Sequence, residues 1–380
     1  MFASRWSERC VRMILSCGCL VAFVVIQCRL SDCGEAAAAP IPAGGSFIIK
    51  NQRHKVYKRL RVTASTGDCV QIIDSYDITI ENSEIGPCAG NGINISGGGG
   101  IEIFDSYIHP ETLSKGCCDH NDGVLAHDTS RITVQGNVIA YGESNVEAIQ
   151  NVTGLTVIGN FLLNPRGPYP RGQNVQAWSA NDILVKGNYA LSSLDTQTYR
   201  YAENQEDSIN FGLASKIVAS GNYIRGGHSP SGCGLIADKG ANSAQFTHNR
   251  LVDTGQCGIG VASGTDQVVE GNWIVNRNPV PKAGNVAVYV WNQYKGLPCG
   301  PVAVSNNIGT EVREAGTPAG FSNGGGCDPV TLKDNIWDEP ARKQLDPVET
   351  KLPPPLIPPE PKNCVARSPY STQTKWQACD

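Results

Sequence analysis

The sequence has little charge, few aromatic residues and no sustained helical periodicity between residues 60 and 338. Charged residues make up 17% of the 380 residues, aromatic residues make up 7%, and the formal net charge is −4 at pH 7. A mildly acidic chain is not typical of a nucleic-acid-binding protein. The missing helical periodicity excludes a fold built from long amphipathic helices.

The N-terminus has an apolar run too short and too poorly flanked for a stable membrane span. This run, Met13–Gln27, follows three arginines and precedes the small residues Ala36–Ala39. The pattern predicts a secretory signal peptide over residues 1–39 and a secreted protein, extracellular or periplasmic, with no membrane contact after cleavage. An uncleaved anchor, or a lipid on Cys17 or Cys28, stays open. The mature chain would have 27 basic and 32 acidic residues.

The sequence lacks the CxxC pairs and His-rich spacing of a zinc site, but the mature chain has an even number of cysteines. An even count in an exported chain predicts disulfides. Cys233 and Cys257 are interpreted as structural, either as stacked thiols or as a bridge. The ten cysteines are Cys69, Cys88, Cys117, Cys118, Cys233, Cys257, Cys299, Cys327, Cys364 and Cys379.

One short phrase recurs ten times between residues 78 and 337: apolar, any, apolar, any two residues, then Asn or Ser. The recurring polar residues are Ser83, Ser106, Asn137, Asn160, Asn188, Asn222, Asn249, Asn272, Asn307 and Asn335. A period of 23 to 35 residues is typical of a solenoid of parallel strands. We therefore predict an all-β fold, a right-handed parallel β-helix of about ten coils. In it the Asn side chains of successive coils form a ladder.

The repeat sets the predicted domain boundaries. The β-helix domain covers residues 40–338, and a Pro-rich tail covers residues 339–380 and is expected to run extended along the solenoid. We expect a monomer, because one elongated domain accounts for most of the chain.

A second alignable column contains acidic and amide residues. It reads Asp68, Asn91, Asp122, Glu147, Gln176, Asp207, Cys233, Cys257 and Val286. Asp122 and Glu147 would then lie about 5 Å apart in successive coils, with a repulsion of about 3 kcal/mol at an effective dielectric constant of 20. One of the two would hold a proton near neutral pH, as an acid paired with a nucleophile or base requires. Asp122 with Glu147 is nearer to the spacing of a retaining pair, Glu147 with Asp207 is wider, and both stay open.

The longest connections enter this column at residues 109–121, 163–175 and 191–206, so loops would wall a groove beside the acids. The predicted catalytic residues are Asp122, Glu147, Asp207 and His228. The predicted substrate-binding residues are His120, Arg166, Tyr169, Arg171, Gln176, Tyr199, Arg200 and Glu206.

Each of these residues also has a structural interpretation. Asp122, Glu147 and Asp207 share parity with inward apolar positions and would form a second structural ladder. His228 would be a turn residue, and the loop arginines would be solvated. Trp178 and Phe211 are interpreted as core residues rather than as a sugar platform.

The repeat and the Asn ladder resemble those of the pectin-lyase-like superfamily of right-handed β-helix proteins over residues 60–338. The resemblance implies a secreted protein that acts on polysaccharides as a lyase, hydrolase or epimerase, or that binds at a surface. Asn121-Asp122-Gly123-Val124 and Glu206-Asp207-Ser208-Ile209 are similar to motifs of polygalacturonase-type hydrolases. Gly227-His228-Ser229 only approximates their Gly-His-Gly. Two extra coils between Asp122 and Asp207, and the lack of an Arg-x-Lys after the His, depart from that family.

Three functions stay open. The first is a hydrolase that cleaves glycosidic bonds of an extended polysaccharide and needs no cofactor, which we prefer because carboxylates outnumber basic residues in the column. The second is a lyase or epimerase on a uronic-acid polymer, with Ca²⁺ as a possible cofactor. The third is a non-catalytic polysaccharide-binding or cell-surface protein, which the low aromatic content disfavours.

Overall fold

The computed structural model describes residues 45–110, 121–167, 170–192 and 205–351, and only the backbone of residues 346–351. The first strands are β1 (Phe47–Lys50), β2 (Arg53–Lys58), β3 (Arg61–Ala64), β4 (Val70–Ile73), β5 (Tyr76–Glu81), β6 (Glu84–Cys88), β7 (Ile93–Ser96), β8 (Gly99–Phe104), β9 (Tyr107–Ile108), β10 (Val124–His127), β11 (Ser130–Gln135), β12 (Val138–Ala140), β13 (Val146–Ile158), β14 (Phe161–Leu163), β15 (Val175–Lys186) and β16 (Tyr189–Leu191). The later elements are β17 (Ile209–Gly212), β18 (Ser215–Ser220), β19 (Tyr223–Arg225), β20 (Cys233–Asp238), β21 (Asn242–Thr247), β22 (Arg250–Val252), β23 (Cys257–Val261), β24 (Gln267–Glu270), β25 (Trp273–Asn276), β26 (Val286–Trp291), β27 (Val302–Ser305), β28 (Ile308–Val312), β29 (Pro318–Ala319), β30 (Phe321–Gly325), β31 (Val330–Lys333), β32 (Ile336–Trp337) and α1 (Asp338–Lys351).

The strands form three parallel faces, because each strand pairs with the strand one coil later. The first face contains β1, β4, β7, β10, the start of β13 and of β15, β17, β20, β23, β26 and β30. The second contains β2, β5, β8, β11, the end of β13 and of β15, β18, β21, β24, β27 and β31. The third contains β3, β6, β9, β12, β14, β16, β19, β22, β25, β28 and β32.

Each face has eleven strands, so the described chain completes eleven coils. The predicted parallel β-helix of about ten coils is confirmed. The additional coil is the first, in which Lys55, Tyr57 and Leu60 stand in the register positions of the repeated phrase.

Alternate residues of each strand point into the solenoid and stack on apolar residues of the next coil. On the second face Ile78, Ile101 and Ile132 are in register, and all are buried. On the third face Ile85 and Ile108 pair in the same way. These stacks form one continuous core, which accounts for the period of two in the sequence.

The ladder residue of each coil follows a residue with a left-handed backbone. The φ angle is +48° at Asn82, +70° at Gly136 and +55° at His248, which precede Ser83, Asn137 and Asn249. Gly, Asn, Asp and His are the residue types that adopt positive φ most readily. The backbone conformation of this corner therefore restricts the residue type at the position before each ladder residue, as well as at the ladder position itself.

The predicted Asn ladder is present from Ser83 to Asn335. The side-chain oxygen of each ladder residue accepts the backbone N–H of its counterpart one coil earlier, as Asn188 Oδ1 does from Asn160 N at 2.9 Å. The amide nitrogen donates twice: Asn188 Nδ2 lies 2.9 Å from Val157 O and 3.0 Å from Asn222 Oδ1. The buried corners thus have their polar groups satisfied.

Three disulfides join described cysteines, as the even count predicted: Cys69–Cys88, Cys233–Cys257 and Cys299–Cys327. Cys233 and Cys257 occupy equivalent positions of β20 and β23, so this pair is a bridge between adjacent coils. The remaining four cysteines of the mature chain lie outside the described residues.

The Pro-rich tail begins with a helix, which corrects the prediction of an extended chain at this point. Pro340 lies in the first turn of α1, where a missing N–H costs nothing. Leu345 packs with Val252 and Val275 on the outer surface of the third face. In the described part of the chain, no helix has the length and apolar character needed to cross a membrane. The predicted signal peptide, residues 1–39, and residues 352–380 lie outside the described residues.

We predict that Asn188→Ala lowers the free energy of unfolding by about 3 kcal/mol or more, because it leaves buried N–H and C=O groups without partners. Asn188→Ser should cost less, since serine keeps the oxygen that accepts Asn160 N, as Ser83 and Ser106 do in earlier coils. Urea unfolding followed by circular dichroism measures both. The control is Asn323→Ala, at an exposed residue; an equal loss there would contradict the role of the ladder.

Candidate functional site

The strand register places the predicted acidic column differently from the sequence alignment. Val146 pairs with Val124, so Glu147 lies three residues beyond the position equivalent to Asp122. Gln176 pairs with Glu147 and is displaced with it. An odd displacement reverses the side-chain direction. Glu147 and Gln176 therefore project outward, whereas Asp122 shares the inward parity of Val124.

The sequence alignment was displaced because β13 begins with two apolar residues three positions apart. Val146 and Ile149 both match the inward apolar position, and the sequence alone does not distinguish them. The same ambiguity affects Val175 and Trp178 in the next coil. The backbone pairing resolves both cases, because Val146 pairs with Val175 and Ile149 with Trp178.

Asp122 and Asp207 belong to a second structural ladder, the alternative that the sequence left open. Asp122 Oδ1 accepts the backbone N–H of Ser144 at 2.9 Å, and Asp207 Oδ1 accepts that of Cys233 at 2.7 Å. In each pair the donor is the equivalent residue of the next coil. Asn91 Oδ1 accepts Asp122 N in the same manner at 2.8 Å. Both aspartates are buried.

Asp122 and Glu147 are nevertheless in contact despite their different columns. Burial raises the pKa of Asp122 well above its ordinary value, and the charge of Glu147 and a hydrogen bond between the two side chains raise it further. Arg171 Nη1 lies 3.5 Å from Glu147 Oε1. The raised pKa favours the protonated form of Asp122 in this contact.

A pocket of about 540 Å³ opens on the outer surface of the first face. Its floor comes from β13, β15, β17 and β20, whose outward residues in successive coils lie side by side. Pocket volumes of this order accommodate small organic ligands. The lining residues are Ile149, Gln150, Pro170, Arg171, Gln176, Trp178, Ser179, Glu206, Asn210, Asp238, Gln293 and Tyr294.

Trp178 lines this pocket, so its interpretation as a core residue is wrong. Its inward neighbour Ala177 is fully buried, and Trp178 itself is half-buried. The equivalent residue of the next coil is Gly212, and a Cβ there would meet the indole at 2.2 Å. The indole therefore lies across the glycine. Phe211 is a core residue, as predicted.

Three carboxyl groups gather around Tyr294. Tyr294 Oη donates to Asp238 Oδ1 at 2.6 Å. Burial and this hydrogen bond raise the pKa of the Tyr294 phenol well above its ordinary value, and the charges of Asp238, Asp207 and Glu206 add to the effect. Burial and then the charge of Glu206 raise the pKa of Asp207 well above its ordinary range. Asp207 thus holds a proton beside the two pocket carboxylates.

Asn210 connects the buried ladder to the pocket. Its Nδ2 donates to Asp207 Oδ2 at 2.7 Å, and its side chain lines the pocket. On the opposite side Arg171 Nη1 donates to Gln176 Oε1 at 2.9 Å. Both contacts fix polar side chains on the rigid floor.

Three of the predicted site residues line the pocket: Arg171, Gln176 and Glu206. Asp207 is not in the lining and accepts a hydrogen bond from the pocket residue Asn210. Arg166 is buried and donates to Tyr141 O and Asn121 Oδ1, outside the pocket lining. The ring of His228 lies 3.2 Å from Asn278 O and also outside the lining. The predicted residues His120, Tyr169, Tyr199 and Arg200 lie outside the described residues.

Sequence reasoning missed Asp238, Gln293 and Tyr294 as site residues. Asp238 follows the outward parity of β20, and this parity was the available signal. Tyr294 and Gln293 follow β26, and the Asp238 that Tyr294 contacts lies two coils earlier, so no local pattern connects them. Within the described ranges, no three His, Cys, Asp or Glu side chains are grouped to hold a metal ion.

Comparison with known proteins supports the architecture. The model of the right-handed β-helix region matches residues 16–139 and 45–164. The chain is a right-handed parallel β-helix. No curated protein gives a significant sequence match.

Solved structures of the same fold are only distantly similar. One is DFA-IIIase from Arthrobacter chlorophenolicus A6, with 12% identity, a TM-score of 0.45, and coverage of 70% of this chain and 65% of that chain. PfbA, a surface adhesin of Streptococcus pneumoniae, has 14% identity and a TM-score of 0.44, and the match covers 70% of this chain and 61% of that chain. The Dettilon tailspike protein has 13% identity and a TM-score of 0.43, and the match covers 77% of this chain and 62% of that chain. The chain thus spans a little under two thirds of the length of these proteins.

We predict that Asp122→Asn stabilises the fold increasingly as the pH rises. Because the folded pKa of Asp122 is raised, the folded chain binds more protons than the unfolded chain above about pH 4. The contribution of this group to stability is therefore lost as the pH rises through its folded pKa. Asparagine keeps the oxygen that accepts Ser144 N and does not ionise.

The measurement is the urea unfolding free energy of both proteins between pH 4 and pH 8. The control is Asp266→Asn, at an exposed position whose positive φ suits asparagine. A gap between Asp122→Asn and the parent protein that stays constant or narrows with pH would show that Asp122 is not a protonated buried acid.

Proposed function

We propose that the protein is a carbohydrate-active enzyme that hydrolyses glycosidic bonds of a glycan bound in the pocket. The observation that carries the proposal is that one open pocket combines an indole, several amides and two carboxylates on a rigid floor. Amides and carboxylates bind hydroxyl groups, and an indole provides an apolar surface for a sugar ring. Glycoside hydrolysis requires two carboxyl groups at one site.

Glu206 and Asp238 are the carboxylates we assign to catalysis, because both line the pocket. Asp238 accepts the Tyr294 hydroxyl and its own neighbour Lys239 N at 2.8 Å, contacts that orient the carboxylate as a base or nucleophile. Glu206 is the matching acid. Asp207 is buried and outside the pocket lining, so it stays a prediction as a catalytic group and we assign it no step.

Asp122, Glu147 and His228 remain predictions as catalytic groups. Asp122 and Glu147 are almost fully buried, and none of the three is in the pocket lining. We assign them no step. Glu147 instead orients Arg171, which enters the pocket beside Gln176.

A lyase or epimerase acting on a uronic-acid polymer is the second candidate, favoured by Arg171. A guanidinium in the pocket is suited to the carboxylate of such a sugar. Tyr294 is a poor base for this reaction, since its raised pKa keeps the phenol protonated. Lys239 is a second cationic group beside the pocket, because its Nζ lies 5.7 Å from the centre of the ring of the pocket residue Trp178.

We predict that Glu206→Gln and Asp238→Asn each lower kcat by about 100-fold or more, the usual contribution of general acid–base catalysis. The assay incubates purified protein with neutral and acidic polysaccharides and measures new reducing ends. Asp182→Asn is the matched control, an aspartate of β15 paired with Lys216 at the surface.

Undiminished turnover in both pocket variants would remove Glu206 and Asp238 as catalytic groups. Glu147→Gln would then test the prediction that Glu147 is catalytic. Ultraviolet absorbance of unsaturated ends, measured with and without a calcium chelator, separates the two candidates. A lyase also releases one reducing end with each cut, so unsaturated non-reducing ends formed in equal number to new reducing ends would establish the lyase, and reducing ends without unsaturated ends would establish the hydrolase.

We also predict that Trp178→Ala raises KM by about tenfold, the effect of losing one aromatic contact, and that it changes kcat less. Steady-state kinetics on the best substrate of the panel measures both constants. Trp273→Ala is the control, because Trp273 is 42% exposed and lies on the third face. A fall in kcat without a rise in KM would assign Trp178 to orientation of the catalytic groups instead.

A further inference from the structure

Two aromatic side chains lie on the outer surface of the first face beyond the pocket. Tyr289 and Trp291 stack, with ring centroids 4.1 Å apart and planes inclined by 15°. Both are half-buried rather than enclosed. We call Tyr289 and Trp291 the aromatic shelf. The pocket lining does not include them.

The shelf continues the same outward columns that form the floor of the pocket. Tyr289 pairs with Gly260, Gly260 with Ile236, and Ile236 with the pocket residue Asn210. Three coil steps of about 4.8 Å separate Asn210 from Tyr289, which gives about 14 Å along the solenoid axis. Trp291 lies in the column that contains the pocket residue Asp238, two coils further on.

Glycines in the neighbouring coils leave the aromatic shelf open. Gly260 is in register with Tyr289 on one side, and Gly325 is in register with Trp291 on the other. Neither has a side chain to cover a ring. A Cβ at Gly324 would meet Trp291 Cβ and Tyr289 Oη, each at 2.8 Å, so a larger residue in this coil would crowd the shelf.

Tyr294 joins the shelf to the pocket. Its ring packs in the same apolar cluster as Tyr289 and Trp291, while its hydroxyl donates to Asp238 at 2.6 Å. The pocket and the shelf therefore share the side chain of Tyr294, which lines the pocket and packs with the shelf.

We infer that the aromatic shelf is a second glycan-binding subsite, which holds sugar units that extend from the pocket toward the C-terminal coils. The inference rests on the proposed function and adds that the ligand is a chain of several sugars lying along the solenoid axis. The flat rings take the apolar faces of sugar rings. A single sugar bound in the pocket would not reach the shelf.

The test measures binding to a printed array of neutral and acidic glycans graded in length from monosaccharides to decasaccharides. All variants carry Glu206→Gln so that no glycan is hydrolysed. Trp291→Ala should weaken binding of the long glycans by about tenfold, as truncation of an aromatic anchor does, and should leave the short ones unaffected. Tyr289→Ala should have the same length dependence.

Trp291→Leu keeps apolar bulk in the cluster and guards against misfolding, which thermal unfolding checks. Trp273→Ala is the matched control and should leave binding unchanged at every length. If the Trp291 variants bind long glycans as tightly as their parent does, the subsite is refuted and the pocket stands. If the Glu206→Gln parent binds no glycan of any length, the proposed function fails and the subsite with it.

Discussion

At the corner between the second and third faces of successive coils, a buried backbone N–H must find an acceptor, and the ladder side chain of the next coil is that acceptor. Asn160 N donates to Asn188 Oδ1, and Asn188 N donates in turn to Asn222 Oδ1 at 3.0 Å. The same amides donate to backbone carbonyls one coil back, so each asparagine ties three coils together. An unmet donor in such a corner costs free energy comparable to a lost hydrogen bond. Regular spacing of the coils follows from this requirement, and the functional surface depends on that spacing.

The pocket is a product of strand parity. Residues that point outward from the first face repeat at every coil, so a wide apolar ring such as Trp178 fits only where its neighbour is as small as Gly212. The buried ladder beneath the pocket has a second effect. Asp207 accepts Cys233 N and the Asn210 amide, and through these contacts the structural column fixes the position of a pocket residue. The carboxyl group of Asp207 thus both joins two coils and holds the pocket residue Asn210 in place.

The repeat was predictable because the phrase around residues such as Asn137 and Asn160 combines two signals, an inward apolar period of two and an obligatory corner amide. The ladder residues were all identified, including Ser83 and Ser106. The face of the acidic residues was not, because Val146 and Ile149 are both apolar and three residues apart, so that either choice gives an acceptable core. This three-residue displacement of the alignment assigned Glu147 to the inward column of Asp122, whereas its side chain projects outward. Tyr294 was beyond reach for a different reason: its contact with Asp238 spans 56 residues and depends on the number of coils between them.

The first coil of the described chain has a second-face strand that differs in character from those that follow. β2 reads Arg-His-Lys-Val-Tyr-Lys, and five of its six residues are exposed. A parallel stack of this length otherwise presents unpaired strand edges that would template addition of another molecule, and lysine and arginine on such an edge oppose that addition through charge repulsion. A strand of another molecule is therefore less able to pair with this edge.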